Sequence, residues 1–267
     1  MVRRFDGQVA WITGGGSGIG RALARHFAAE GATVAVSGRR AERLEAVAAE
    51  IEELGGRALA VPLDVTDEAG VQSAADTVQT ELGRLDVCVA NAGFAVAGRV
   101  ERLSAEDWRR QLDVNVVGLA LTAKYALAGL RKSKGRLGLV GSVAGLVSVP
   151  GYSPYHASKY AVRAIGQALA AELHGSGVSC TLLHPGFVES EIGQVDNEGA
   201  HHPDRVDRRP ARLMWPTPKA AASMVDALHA RKREHIFTSH GRIAAFLGMH
   251  FPGLVHAVVS RQVKSER

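Results

Sequence analysis

Short apolar runs punctuate the chain, at Gln8–Thr13, Ala32–Ser37, Ala58–Val61, Asp86–Ala90, Leu137–Gly141, Val178–Leu183 and His235–Thr238. Most are continuous rather than alternating, which is the pattern of strands covered on both faces. Between them apolar positions recur at helical spacing over Ile19–Glu30, Ala41–Leu54, Glu68–Leu82, Ala105–Leu130, Tyr155–His174 and Pro218–Arg231. This alternation predicts an α/β fold, an open, doubly wound parallel sheet of about seven strands with helices on both faces. Ligands of such sheets lie outside the carboxyl ends of the strands. One segment departs from the amphipathic norm. Leu112–Leu130 is apolar nearly all round, through Val114, Val116, Val117, Leu119, Leu121, Tyr125 and Leu127. Such a helix has to be covered on both sides, either within one subunit or by the same helices, 105–130 and 155–174, of a second copy.

Composition narrows the class. The 267 residues carry 46% hydrophobic and 22% charged side chains, ordinary for a globular protein. No linker, repeat or low-complexity run divides them, so a single domain over 1–267 is expected. The net charge of +5 is spread along helices, whereas a nucleic-acid binder clusters its Lys and Arg; Arg39-Arg40 and Arg208-Arg209 are small groups. No nucleic-acid partner is therefore expected. Cys88 and Cys180 each lie in an apolar run, as buried strand thiols do, a usage that fits a reducing cytoplasm. The chain enters its first strand almost at once, leaving no room for a signal peptide. It also has no apolar run of about 20 residues to span a membrane.

After the first strand comes Thr13-Gly14-Gly15-Gly16-Ser17-Gly18-Ile19-Gly20. Glycines 14, 18 and 20 allow a tight turn and close approach of the backbone to a phosphate. The helix that they open offers free N–H groups and a dipole to a pyrophosphate. An acidic residue about 20 positions further on usually holds the adenosine ribose of NAD. Here Gly38 takes that place, followed by Arg39 and Arg40. No carboxylate there repels a 2′-phosphate, and a guanidinium can hold one by charge-assisted hydrogen bonds. NADP(H) is the cofactor these residues predict.

Tyr155 and Lys159 stand four apart, hence on one helix face. An ordinary tyrosine, with a pKa near 10, is a poor base at neutral pH; a nearby cation lowers that value toward the range useful for proton transfer. Ser142 follows the fifth strand, where its hydroxyl can bond a substrate carbonyl oxygen. Alone, the Tyr/Lys pair also fits an amphipathic helix with an interfacial tyrosine and an exposed lysine.

In their order, these segments resemble the short-chain dehydrogenase/reductase family over about residues 6–190. Thr13–Gly20 matches its glycine motif, Asp64-Val65-Thr66 its adenine-contacting segment and Asn91-Ala92-Gly93 the motif closing the fourth strand. Asn115, Ser142, Tyr155 and Lys159 match its catalytic tetrad. Pro185-Gly186-Phe187-Val188-Glu189-Ser190 matches its nicotinamide-side motif, with Ser190 where threonine is usual. The resemblance implies a Rossmann-type fold and an oxidoreductase. Tyr155 is then the general acid/base, and Lys159 holds the nicotinamide ribose and lowers the Tyr155 pKa. Asn115 holds a water of a proton relay, Val188 contacts the carboxamide through its backbone, and Ser17 and Ile19 belong to the pyrophosphate loop.

Three regions follow, a cofactor and catalytic core (1–190), a substrate lid (191–217) and a C-terminal extension (239–267). The lid contains His201, His202, Arg205, Arg208, Arg209 and Trp215. With no carboxylate or Cys at an obvious ligand spacing, the His pair reads as part of a polar, mobile loop and no metal is expected. The extension, apolar but interrupted by Pro252, His250 and His256, has three roles open to it: roofing a lipophilic pocket, packing on a partner subunit, or touching a membrane surface. The expected activity is NADP(H)-dependent hydride transfer on a lipophilic ketone, aldehyde or secondary alcohol, in a homodimer or homotetramer. A 3-oxoacyl thioester reductase and a non-catalytic NADPH-sensing protein are the alternatives.

Overall fold

In the computed structural model, residues 3–207 and 209–265 are described, with side chains to residue 261. Arg208 of the lid and the two residues at each end lie outside the described residues. The apolar runs become strands β1 (Val9–Thr13), β2 (Thr33–Gly38), β3 (Arg57–Pro62), β4 (Val87–Ala90), β5 (Arg136–Val140), β6 (Ser179–His184) and β7 (Glu234–Ile236). They form one sheet in the order β3-β2-β1-β4-β5-β6-β7, every pair parallel. All five residues of β1 are buried. Ala10 and Ile12 join one core, and Val9 and Trp11 the other, as alternation along a two-faced strand requires. Both β2 and β4 flank β1, so the chain order reverses there and leaves a crevice at the strand ends.

Helices α1 (Gly18–Ala29) and α2 (Ala41–Glu53) cover one face, adding Leu23, Phe27, Leu44, Val47 and Ile51 to its core. Helix α3 (Glu68–Leu82) lies on the opposite face. The helix expected over Ala105–Leu130 is divided. Helix α4 (Ala105–Leu112) starts at a capping box of Ser104 and Asp107. A π turn follows over Asp113–Val117, then α5 (Gly118–Ser133). Gly118 lies at the join because a Cβ there would come within 2.7 Å of Val65 Cγ2. Along α5, Leu119, Ala123, Ala126 and Leu130 enter the core, while Leu121, Tyr125 and Leu127 are half-buried and Val117 is exposed. The apolar girdle is thus only partly covered within one chain.

Helix α6 (Ser153–Glu172) packs beside α4, and α7 (Thr217–His229) joins α1 on the first face. The extension, for which no element was expected, forms α8 (Ser239–His250) and α9 (Pro252–Ser265). These two are bent by 114° at their break, where Pro252 starts the second helix. The inner edge of α8 consists of small residues. A Cβ on Gly241 would meet Val143 at 2.8 Å, one on Gly248 would meet the Leu146 carbonyl at 2.6 Å, and Ala245 is fully buried. This edge packs on the turn after β5, leaving Ile243, Phe246 and Met249 exposed on the outside. Among the described residues no single helix is long and apolar enough to cross a membrane. Cys88 and Cys180 are buried strand thiols; desolvation pushes the Cys180 pKa up to about 12.

Candidate active site

The glycine loop leaves β1 through Gly14, whose φ of +66° favours glycine and whose Cβ would meet Ala92 Cα at 2.9 Å. A Cβ on Gly20 would lie 2.0 Å from the Gly14 carbonyl oxygen. The loop therefore turns back onto the start of α1 at a distance that only glycine permits. Its far wall is fastened to β4. Asn91 donates from Nδ2 to the Thr13 carbonyl at 2.9 Å, and Thr13 Oγ1 accepts from the Asn91 and Ala92 amides. Ser17 precedes α1 without a side-chain cap, and the first turn holds no acidic residue, so the leading amides face the loop as an anion seat. These close backbone approaches and uncapped amides fit a dinucleotide pyrophosphate against Ser17, Gly18 and Ile19.

At the end of β2, Arg39 and Arg40 are placed as the sequence predicts, but both are engaged by the lid. Arg39 Nη2 donates to the Gly199 carbonyl at 2.8 Å. Arg40 Nη2 lies 2.8 Å from Glu191 Oε2 and 3.3 Å from Ser17 Oγ. A carboxylate therefore does reach this end of the site, from 151 positions away in sequence. Burial works to raise the Glu191 pKa, yet the hydrogen bond and charge of Arg40 outweigh it and hold the carboxyl below its ordinary value. Asp64 accepts from the Thr66 amide and hydroxyl at the edge of the same region, with Val65 buried beside it.

At the reacting end, Ser142 follows β5 as the cap of the next turn and accepts the Ala144 amide at 3.0 Å. Tyr155 and Lys159 lie on α6, with Lys159 Nζ 5.7 Å from the Tyr155 ring centroid. Lys159 is buried and donates to the Val140 carbonyl at 2.9 Å; desolvation lowers its pKa to about 8. Tyr155 differs from the sequence expectation. Burial pushes its phenol above the ordinary value, opposed by a hydrogen bond from Ser142 and by the charge of Arg209. The opposing cation is thus a lid arginine rather than Lys159, whose ammonium is turned to Val140.

Asn115 sits in the π turn, 1% exposed. Its Oδ1 accepts the Phe94 amide at 3.1 Å, and its Nδ2 donates to the Phe94 carbonyl at 3.0 Å and to Ser158 Oγ at 3.1 Å. Both ends of the side chain are therefore held by protein partners. Gly93 allows the approach, since a Cβ there would come 3.0 Å from Asn115 Oδ1. Asn115→Ala leaves the buried Phe94 amide without a partner, while the Phe94 carbonyl keeps Gln111 Nε2 at 2.9 Å, and is expected to cost about 1–3 kcal/mol. Urea unfolding of the purified variant, with secondary structure followed by circular dichroism, checks this.

Pro185 and Gly186 lead out of β6. The Pro185 carbonyl accepts the Val143 amide, and Gly186 lies where a Cβ would meet Thr238 Oγ1 at 2.3 Å. Val188 is buried and Ser190 comes against the glycine loop, 3.1 Å from a Cβ built on Gly18. The lid is hydrogen-bonded to the core at several points. Asn197 exchanges two hydrogen bonds with Ala97, and Arg110 holds the Asn197 carbonyl at 2.9 Å. Both lid histidines meet carboxylates that linear spacing concealed: His202 pairs with Asp196, and His201 lies 3.9 Å from Glu191. Among the described residues, no group of three His, Cys, Asp or Glu is placed to hold a metal. Sequence reasoning assigned no partner to Glu191 or Arg209, because neither belongs to a local motif.

Comparison with known proteins agrees with this arrangement. The family model for short chain dehydrogenases matches residues 8–201. Meso-2,3-butanediol dehydrogenase of Serratia marcescens is 40% identical over 189 residues, 71% of this chain and 74% of its own. A crystal structure of a short chain dehydrogenase from Burkholderia cenocepacia J2315 in complex with NADP superposes with a TM-score of 0.76 at 34% identity, covering 86% of this chain and 96% of that one. Another, a short chain dehydrogenase/reductase from Burkholderia phymatum in complex with NAD, gives 0.80 at 29% identity over 90% and 92%. By the matched span, the strand order and the site residues at the strand ends, the chain belongs to the short-chain dehydrogenase/reductase family of oxidoreductases.

Proposed function

We propose that the protein is an NADP(H)-dependent carbonyl reductase or alcohol dehydrogenase with Tyr155 as its general acid/base. The observation that carries this reading is the convergence of Ser142, Tyr155, Lys159 and Asn115 beside the glycine loop, at the carboxyl ends of β1, β4 and β5. The bound nicotinamide would supply or accept the hydride. Ser142 would hold the substrate oxygen, and the Tyr155 hydroxyl would give it a proton in reduction or take one in oxidation. Lys159, anchored on Val140, would hold the nicotinamide ribose and pass the proton on, with Asn115 holding the relay water. Val188 and Ser190 would hold the carboxamide, Asp64 and Val65 would flank the adenine, and Asn91, Ala92 and Gly93 would line the trough.

Arg39 and Arg40 support NADP(H) over NAD(H), a choice that the two solved relatives leave open, since one is a complex with NADP and the other with NAD. A lipophilic substrate is supported by α8, which packs over the turn that follows Ser142. The likeness to a butanediol dehydrogenase supports a small vicinal diol or hydroxyketone as the competing class. The partly covered girdle of α5, with Val117 exposed, supports a homo-oligomer through the 105–130 and 155–174 helices. A cytoplasmic location remains part of the proposal, on the usage of two unpaired cysteines.

The test is cofactor consumption across carbonyls graded from small and polar to steroid-like, with NADPH and NADH side by side. Turnover should favour NADPH and rise with lipophilicity; a preference for hydroxyketones would transfer the substrate to the competing class. Arg39→Ala should weaken NADPH by about tenfold to a hundredfold, the value of one charge-assisted contact, and NADH far less. Equal losses for both cofactors would remove the 2′-phosphate assignment.

A further inference from the structure

Two lid side chains occupy the trough in a chemically matched way. Arg209 Nη1 donates to the Val188 carbonyl at 3.0 Å and to Ser190 Oγ at 3.2 Å, and its Nη2 donates to the Ser190 carbonyl at 2.8 Å. Asp207 Oδ2 lies 2.7 Å from Nη2 and aims the guanidinium. The acceptors at Val188 and Ser190 are those that suit the amide nitrogen of a nicotinamide carboxamide, a planar N–H donor like the guanidinium. At the other end, the Glu191 carboxylate lies on Arg40, which also reaches Ser17 of the glycine loop. An anion is thus held where cofactor phosphates would be. A donor fills the donor seat, and an anion fills an anion seat.

We propose that Arg209 and Glu191 form an internal, displaceable ligand of the cofactor trough, so that NADP(H) binds only by ejecting the guanidinium from Val188 and Ser190 and the carboxylate from Arg40. This rests on the NADP(H) reading above. A lid latched by such contacts lowers the apparent affinity by the fraction of molecules that are open. A latch closed about nine-tenths of the time costs about tenfold, and removing it returns that factor. Arg39, bound to the Gly199 carbonyl, fastens the same lid at the adenosine end. The lid would then set cofactor affinity, and therefore turnover at a given NADPH level.

The experiment is fluorescence titration of the full chain with NADPH, together with competition by adenosine 2′,5′-bisphosphate and by nicotinamide mononucleotide. Arg209→Ala should bind NADPH and nicotinamide mononucleotide about tenfold tighter, with adenosine 2′,5′-bisphosphate unchanged. Glu191→Gln should show the mirror pattern, tightening the bisphosphate and leaving the mononucleotide unchanged. Asp207→Asn keeps the guanidinium but loosens its aim, and should give an intermediate gain even if Arg209→Ala folds poorly. Unchanged or weaker NADPH binding in Arg209→Ala and Asp207→Asn would overturn the latch while leaving the cofactor reading intact. Failure of every form to bind NADPH or the bisphosphate would overturn both.

Discussion

Tyr155→Phe is expected to lower turnover by about 10²–10⁴-fold, the usual contribution of a positioned acid/base, with NADPH affinity kept within about threefold. The substitution keeps the ring and removes only the hydroxyl, so α6 and the trough are undisturbed. The direction of the Tyr155 shift gives the expectation a second readout. Burial holds the phenol above its ordinary pKa, so at neutral pH it carries the proton that reduction consumes. Oxidation needs the phenolate, whose fraction grows with pH. The wild type should therefore reduce carbonyls at a nearly level rate from pH 6 to 8, while its alcohol oxidation climbs throughout that range. Steady-state rates in both directions, against the variant, decide the matter. Activity retained in Tyr155→Phe would move the proton chemistry to another group.

The contrast between legible and hidden features has a physical cause. Strands of a two-faced parallel sheet must be apolar on both sides, so Val9–Thr13 and Val87–Ala90 announce themselves as continuous runs. Gly14 and Gly20 were readable because the loop tolerates no Cβ at either position. The π turn was not, because its cause is a tertiary contact: Asn115 bonds Phe94 and Ser158 from 21 and 43 positions away. The tail escaped because Pro252 and His250 interrupt its periodicity, although both fall at the break between α8 and α9. Arg40 was readable as a cation after β2, but its partner Glu191 was not. Linear spacing carries no information on a contact made by a lid folding back across the sheet, and the same holds for Arg209 over Val188 and Ser190.

Lys159→Met should lose activity by about 10²–10³-fold and yet unfold at higher denaturant than the wild type at neutral pH. The ammonium is buried, with the Val140 carbonyl as its hydrogen-bond acceptor. Desolvation brings its pKa down from 10.5 to about 8, so the fold carries a charged group it disfavours. At about 1.4 kcal/mol per pKa unit, that penalty is on the order of 3 kcal/mol, less about 1 kcal/mol for the hydrogen bond that methionine cannot make. The pH dependence fixes the cause. Between pH 8 and 10.5 the unfolded chain binds a proton at Lys159 that the folded chain does not, so wild-type stability gains over the variant as pH rises through that window. The advantage of Lys159→Met should be full below pH 8 and gone near pH 10.5. A difference that stays constant across the window would show that Lys159 acts on stability through packing rather than charge. Its burial would then owe nothing to the proton chemistry of Tyr155.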